Sequence, residues 1–350
     1  MVRLAAGLLF AAAAPAAAQF GDIGRFATVG HGRGVEADTG LEEAHMQYFA
    51  DTYGERAVAA RSLSTWKRAL YFYCWFMYVH MGLAPEVREA WAGLQVGMGW
   101  TGMSDSTFRR NVLPIGQALV AIMWEIDYDD RLNPYNHFPP WRYTVTAIVD
   151  TLPIFISEPS KFQLAKLCFQ PKYKRHCYKM QLGCTLMGNI CLWTGPHLGC
   201  TSDVTIWRQT WQQHPFRSWE AWLGDLGYVG AAGLITKFKK PPKRRRPRRP
   251  PGAAARARAM RPPAPPLTRA QLHFNNVHES TRNRVESVVR KVKAHKLFSG
   301  RVFKGKYETL RAALHVVGHV AAYQLRQRQR FQSYGPWPHA YGPMGQPNPP

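Results

Sequence analysis

A run of β-branched residues at 143–150, YTVTAIVD, ends in a carboxylate and limits the fold classes open to this chain. The run alternates and then becomes continuous, which is typical of a strand buried inside a sheet. Further along, the pattern predicts two strands, at 177–186 and 189–194, that form a hairpin turning at Met187-Gly188. It then predicts a helix at 203–219, a short strand at 222–224 and a basic amphipathic helix at 282–297. Three antiparallel strands followed by a helix, a strand and more helices indicate an α+β domain.

An aromatic-rich stretch precedes this domain and has the apolar spacing of helices. The pattern predicts three helices, at 62–80, 84–97 and 107–125. Ser104 is a candidate N-cap of the third helix, whose first turn carries Arg109 and Arg110. In a helix-turn-helix, residues near the start of the second helix of the motif contact base edges and phosphates. Basic residues early in a capped helix that follows another helix and a turn are typical of that motif. We therefore expect a helical DNA-binding unit at 56–125; three helices around an aromatic core are the alternative.

The charge of the chain favours a polyanionic partner. Its 46 Lys and Arg residues exceed its 22 Asp and Glu residues and give a net charge of +24. Thirteen of the basic residues and no acid lie in a proline-laced segment at 237–270, which predicts an extended insertion. Such a segment is typical of a nuclear localisation signal or a DNA-backbone contact, carried by Lys243, Arg244, Arg245 and Arg246. A merely solvated loop is the alternative.

The remaining segments are expected to lie outside the folded parts. Residues 1–55 and 327–350 are predicted as tails, and the proline-punctuated residues 126–141 as a linker. Residues 1–19 have the outline of a secretory signal, so secretion is the alternative to a nuclear location. No later segment has the uninterrupted apolar length of a membrane helix, and no membrane association is expected.

Four acids lie where the predicted elements begin or end, or inside a helix: Asp150, Asp203, Asp225 and Glu286. Cleavage of a phosphodiester bond needs divalent ions that activate the attacking hydroxyl and stabilise the leaving oxygen. Hard cations such as Mg²⁺ prefer carboxylate oxygens, which converging acids would supply. Helix caps and surface charges are the alternative, and Asp203 in particular suits a helix N-cap.

The residues around these acids resemble the Harbinger-type DDE transposases and their insertion-sequence relatives. Four blocks occur in the family order: IVDTLPIFIS at 148–157, with Thr151 where glycine is more usual; a tyrosine, lysine, glycine and aspartate pattern at 173–203; LGDLGY at 223–228; and a helical block with Phe274, Asn275, Arg282, Glu286 and Lys293. Together they cover about 145 residues.

The resemblance implies a ribonuclease-H-like mixed sheet flanked by helices at 142–326. It also implies that Asp150, a second aspartate and Glu286 hold two Mg²⁺ or Mn²⁺ ions. We expect Asp225 to be that second acid and Asp203 a fourth carboxylate or a helix cap, with the reverse assignment open. Arg282 and Lys293 are expected on one face of the helix that carries Glu286, where they would orient the acid and meet phosphate.

The function implied is that of a transposase-derived endonuclease that cleaves DNA, with strand transfer by the freed 3′ hydroxyl. An accessory DNA-binding protein and a homo-oligomer are the partners that the resemblance suggests. The alternative is a basic, transposon-derived DNA-binding protein that keeps the fold and has lost the chemistry.

Overall fold

The computed structural model describes residues 43–58, 64–80, 104–134, 141, 144–214, 216–239, 265–298 and 302–332. Three predicted features lie outside these residues: the helix at 84–97, the signal-like residues 1–19 and the basic group of Lys243, Arg244, Arg245 and Arg246. Among the described residues, no helix has the length and apolar character needed to cross a bilayer.

A mixed sheet carries the fold. Its strands are β1 (Val145–Phe155), β2 (Phe169–Gln170), β3 (Arg175–Thr185), β4 (Ile190–Leu198), β5 (Ala221–Leu223) and β6 (Leu234–Ile235). β1 pairs antiparallel with β3, and β3 pairs antiparallel with both β2 and β4. β1 also pairs parallel with β5, and β5 with β6. This mixed sheet with flanking helices is consistent with a ribonuclease-H-like domain and confirms the predicted fold class.

The described helices are α1 (Glu43–Ala57), α2 (Thr65–His80), α3 (Asp105–Asn111), α4 (Leu113–Ile122), α5 (Phe162–Cys168), α6 (Asp203–Gln213), α7 (Arg269–Lys293) and α8 (Tyr307–Gln332). Ser104 caps α3 as predicted, since its hydroxyl accepts a hydrogen bond from the Thr107 amide. The single helix predicted at 107–125 is wrong, because it divides at Val112 into α3 and α4. Pro114 lies in the first turn of α4 and has no amide hydrogen to continue the helix.

β1 is longer than the sequence predicts. It does not end at Asp150 but continues to Phe155, because its register with β3 runs unbroken from Ala147 to Phe155. β5 pairs only with the first part of β1, up to Ile148, so the second edge of β1 is unpaired beside Asp150. That edge tolerates Pro153, which has no amide hydrogen to donate. Asp150 therefore lies within a strand, next to an unpaired sheet edge.

Two helix boundaries also differ from the predictions. α7 begins at Arg269 instead of 282, because Thr268 and Gln271 form a capping box at its start. α6 ends at Gln213 instead of 219. The chain then turns so that Glu220 and Trp222 become buried at the start of β5.

The helices cover both faces of the sheet. On one face, α1, α2, α4, α7 and α8 join the sheet in one large hydrophobic core. Trp193 of β4 fixes α8 there by donating a hydrogen bond to the Leu314 carbonyl at 2.9 Å. On the other face, α6 covers a smaller aromatic cluster that includes Trp207, Trp222 and Tyr228. The predicted helical unit thus shares its core with the C-terminal helix.

Part of the predicted linker is packed against the sheet. Residues Tyr128–Leu132 form a 3₁₀ helix whose Arg131 is 2% exposed. Arg131 donates to both oxygens of the buried Glu220, at 2.6 and 3.1 Å. The segment before β1 is therefore held to the start of β5 by a bidentate ion pair.

Candidate active site

Asp150 is half-buried in β1 and faces α7. One carboxylate oxygen accepts a hydrogen bond from the Thr151 amide at 2.8 Å, and the other lies 3.3 Å from the guanidinium of Arg282. Burial raises the pKa of the Asp150 carboxyl, while Arg282 and the Thr151 amide act in the opposite direction. The charge of Asp225 adds to the rise, so these two carboxylates share one electrostatic environment.

Asp225 is separated from β5 by Gly224 and caps a 3₁₀ turn, Leu226–Tyr228. Its Oδ1 accepts a hydrogen bond from the Gly227 amide at 2.7 Å. A methyl group at Gly227 would lie 2.9 Å from Asp225 Oδ1 and 3.1 Å from Asp203 Oδ2. The Asp203 and Asp225 oxygens can therefore be no farther apart than those two distances together.

Asp203 is the first residue of α6. The predicted role as N-cap is wrong, because Ser202 caps the helix by accepting a hydrogen bond from the Thr205 amide. Asp203 instead pairs with Lys179 of β3 at 3.2 Å, and Lys179 also donates to the Thr201 carbonyl at 2.7 Å. Its carboxylate is thus held between α6 and the sheet.

Tyr228 lies close to these acids, although its sequence position predicts no role for it. Its hydroxyl lies 2.7 Å from the hydroxyl of Thr151, the residue that stands where glycine is more usual. Burial raises the pKa of Tyr228, and the charges of Asp203 and Asp150 raise it further. The signal was present in LGDLGY, whose tyrosine follows Asp225 by three residues, but the partner Thr151 is set only by the fold.

The helix α7 carries the other predicted site residues, Arg282, Glu286 and Lys293, which differ in whether they contact the aspartates. Arg282 is the residue that reaches Asp150. Glu286 lies one turn later and Lys293 two turns beyond that, and both are exposed. Within the described part of the chain, Glu286 forms no hydrogen bond or ion pair. The structure therefore brings Asp203 and Asp225 together beside Gly227 and joins Asp150 to the helix of Glu286 through Arg282.

Asn275, predicted as part of the last block, has a positioning role. Its side chain accepts from the Phe238 amide at 2.8 Å and donates to the Phe238 carbonyl at 3.0 Å. This pair of bonds ties the chain after β6 to the first half of α7, while Phe274 packs edge-on against Phe238. The bonds fix α7 relative to the strands that carry the acids.

The geometry agrees with a comparison against protein families. Residues 149–320 match the family model of the DDE superfamily endonucleases. The match covers Asp150, Asp203, Asp225 and Glu286, and it supports a DDE endonuclease domain in this part of the chain. The Harbinger-type subgroup stays a prediction. Comparisons with curated proteins and with solved structures found no match.

DDE superfamily endonucleases generally use divalent metals. Among the residues that the structure describes, no group of three or more His, Cys, Asp or Glu side chains is assembled to hold a metal ion. The donor chemistry nevertheless fits a hard cation, since Asp150, Asp203 and Asp225 offer only carboxylate oxygens. Two cationic side chains, Arg282 and Lys179, lie against two of these carboxylates.

The two arginines that the sequence predicts as DNA contacts of the helical unit are among the described residues. Arg109 and Arg110 are exposed in the short helix α3, near its last turn instead of its first. Their exposure leaves a DNA contact open as a prediction.

Proposed function

We propose that the chain is a transposase-derived endonuclease that cleaves DNA phosphodiester bonds. The observation that carries the proposal is the approach of Asp203 and Asp225 beside Gly227, together with the Thr151–Tyr228 contact next to Asp150, within a region that matches DDE endonucleases. The three acids come from β1, from α6 and from the turn after β5, and 75 residues of sequence separate the first from the last. A cluster of this kind costs electrostatic repulsion, which a cationic ligand relieves.

In this proposal Asp150, Asp225 and Glu286 hold two Mg²⁺ or Mn²⁺ ions, with Asp203 as a fourth carboxylate. Bound divalent ions supply Lewis acidity to the attacking hydroxyl or water and to the leaving oxygen. Asp225 is favoured as the second acid because its charge already acts on Asp150. Asp203 is held instead by Lys179.

Arg282 both orients Asp150 and offers a donor to the substrate. One guanidinium nitrogen faces the Asp150 carboxylate. The Nε of Arg282 is buried and has no hydrogen-bond partner among the described residues. The part of the Arg282 side chain that remains exposed, 17%, can offer a guanidinium donor to a DNA phosphate, which accepts several such bonds. Lys293 is proposed to contact phosphate farther along the same helix.

The test is nicking of supercoiled plasmid DNA with Mg²⁺ or Mn²⁺. Asp150→Asn, Asp225→Asn and Glu286→Gln should each abolish nicking and leave DNA affinity nearly unchanged, because each removes a metal-binding charge and little volume. Asp203→Asn should leave measurable nicking if Asp203 is the fourth carboxylate. Glu55→Gln, on the exposed face of α1, is the matched control. Full nicking by Asp150→Asn would overturn the assignment.

A second function is favoured by a specific observation: Arg282 and Lys179 already neutralise two acids, and Glu286 pairs with no residue that the structure describes. In this alternative the chain binds DNA and no longer cleaves it. Wild-type protein that binds DNA but does not nick it with either metal would favour the alternative. Strand transfer is tested separately, by joining of a labelled 3′ end to plasmid.

A further inference from the structure

Apart from the candidate active site, a second surface with the character of a ligand-binding site lies around α5 and β2, beyond the end of β1. We call it the α5–β2 surface and define it by Lys161, Phe162, Lys166, Phe169, Lys172 and Lys174. The sequence between Glu158 and Asp203 contains no acid and six Lys or Arg residues. All four lysines of the surface are exposed. This segment is therefore positively charged, since it contains no acidic residue that would neutralise its lysines.

Two aromatic side chains on this surface face solvent. α5 buries Ala165 and Cys168 and leaves Phe162 77% exposed. Phe169, the first residue of β2, is 38% exposed, and its ring packs edge-on against His176. Phe162 and Lys166 are four residues apart and thus lie on one face of α5. Large exposed aromatic rings between cations are typical of surfaces that bind single-stranded nucleic acid, where bases stack on the rings and lysines meet the phosphates.

The α5–β2 surface is connected to the acid cluster by β1 and β3. Asp150 and Phe155 lie on the same strand, about 17 Å apart at roughly 3.3 Å per residue. The Phe155 ring lies 4.4 Å from the Arg175 guanidinium and packs edge-on against Tyr173. Lys179, paired with Asp203, lies between them on β3. A DNA strand leaving the acid cluster along β1 would meet basic and aromatic groups within about five nucleotides of the cleaved bond.

We propose that the α5–β2 surface binds the DNA strand that flanks the cleaved phosphate, with the lysines on phosphates and Phe162 and Phe169 stacked on unpaired bases. This inference rests on the proposed function for its location next to the cleavage site. The binding itself needs no metal and no cleavage. DNA is favoured over a protein partner because residues 159–202 carry six Lys or Arg residues and no acid, and Lys166 separates Phe162 from the exposed Leu167 and Phe169.

The experiment measures binding of the full chain, in EDTA, to a DNA hairpin with a five-nucleotide overhang that carries 2-aminopurine. Phe162→Ala and Phe169→Ala should each weaken overhang binding by roughly 5- to 150-fold. They should also reduce the stacking-dependent change in 2-aminopurine fluorescence, and leave a blunt hairpin bound as in the wild type. Trp219→Ala, another exposed aromatic residue, is the matched control.

The charge component is tested by salt dependence. Lys166→Gln with Lys174→Gln should lower the slope of log affinity against log salt by about 0.7 per lost single-strand contact. Arg208→Gln with Arg217→Gln, two exposed cations elsewhere, should leave the slope unchanged. Equal losses on overhang and blunt DNA, or no loss on either, would overturn the proposal. Since every substituted side chain is exposed, thermal unfolding should not change.

The two proposals fail in different ways. Wild-type protein that prefers overhang DNA, loses that preference with Phe162→Ala and yet nicks no plasmid contradicts the endonuclease assignment only. Wild-type protein that nicks plasmid while the Phe162 and Lys166 variants bind overhang DNA normally contradicts the α5–β2 surface only.

Discussion

At the scale of single residues, we expect the addition of one methyl group at Gly227 to cause a large loss of nicking activity. A methyl group there would press on Asp225 Oδ1 and Asp203 Oδ2. We expect Gly227→Ala to lower the nicking rate by about a hundredfold, since misplacing a catalytic group by about 1 Å has that effect. The two contacts are with ends of side chains that can move, so unfolding stability should fall little. Nicking rate and thermal unfolding together check this.

Gly230, in the same loop, is the matched control for Gly227. Its φ of 83° is strained for alanine, but nothing lies within 4 Å of an added methyl group. Gly230→Ala should therefore lose about 1 kcal/mol of stability and keep its nicking rate. The opposite pattern, with activity lost at Gly230 and kept at Gly227, would show that the acids do not act from the positions seen here.

At the scale of secondary-structure elements, the sequence predicted the main strands and the helices α2, α6 and α7, but several of their ends were wrong. Residues 1–55 were predicted as a tail, which is wrong for α1 because its buried side chains pack into the large core. The helix α5 was also not predicted. The hairpin at Gly188 was predictable from its turn residues, and Gly188 has the positive φ, 95°, that such a turn needs. The length of β1 was not, because its second half is held by pairing with β3, which is distant in sequence. For the same reason the acids could be located, but not the Thr151–Tyr228 and Lys179–Asp203 contacts that connect them.

Also at the element scale, Glu220 fixes the 3₁₀ helix Tyr128–Leu132 to the base of the sheet. Its carboxylate accepts hydrogen bonds from Arg131, Thr146 and the Trp222 indole, at 2.6, 2.5 and 2.9 Å. Glu220→Gln should cost about 3 to 5 kcal/mol at neutral pH, because the buried Arg131 then loses the buried carboxylate that neutralises it. Urea denaturation measures the loss. Asp129→Asn, which removes the exposed second partner of Arg131, should cost less than about 1 kcal/mol.

The same carboxylate gives a pH dependence with a definite sign. Burial alone would raise the pKa of Glu220, but the hydrogen bonds from Arg131, Thr146 and Trp222 outweigh it and hold the pKa below its ordinary value. The carboxylate therefore stabilises the fold above about pH 4.3, the pKa of an unfolded glutamate. That stabilisation is lost as the pH falls through the folded-state pKa. Wild type and Glu220→Gln should converge in stability there, and a constant difference down to pH 3 would contradict this account.

At the scale of the whole molecule, a buried polar network joins segments from both ends of the chain. Tyr53 of α1 donates to Glu125 at 2.5 Å, and His319 of α8 lies 3.2 Å from the other Glu125 oxygen. All three side chains are buried. Because α1 and α8 also share the large core, the described helices and the sheet should unfold in one cooperative transition.

A double-mutant cycle tests that linkage. Tyr53→Phe should cost about 1 to 3 kcal/mol, because one oxygen of the buried Glu125 loses its donor. His319→Gln should cost a similar amount, and the double variant less than the two together, since both act through the same carboxylate. Tyr71→Phe is the control, a buried tyrosine whose hydroxyl makes no hydrogen bond within the described residues. Additive losses, or two separate urea transitions reported by tryptophan fluorescence and by circular dichroism, would mean that the helical part and the endonuclease-like part fold independently.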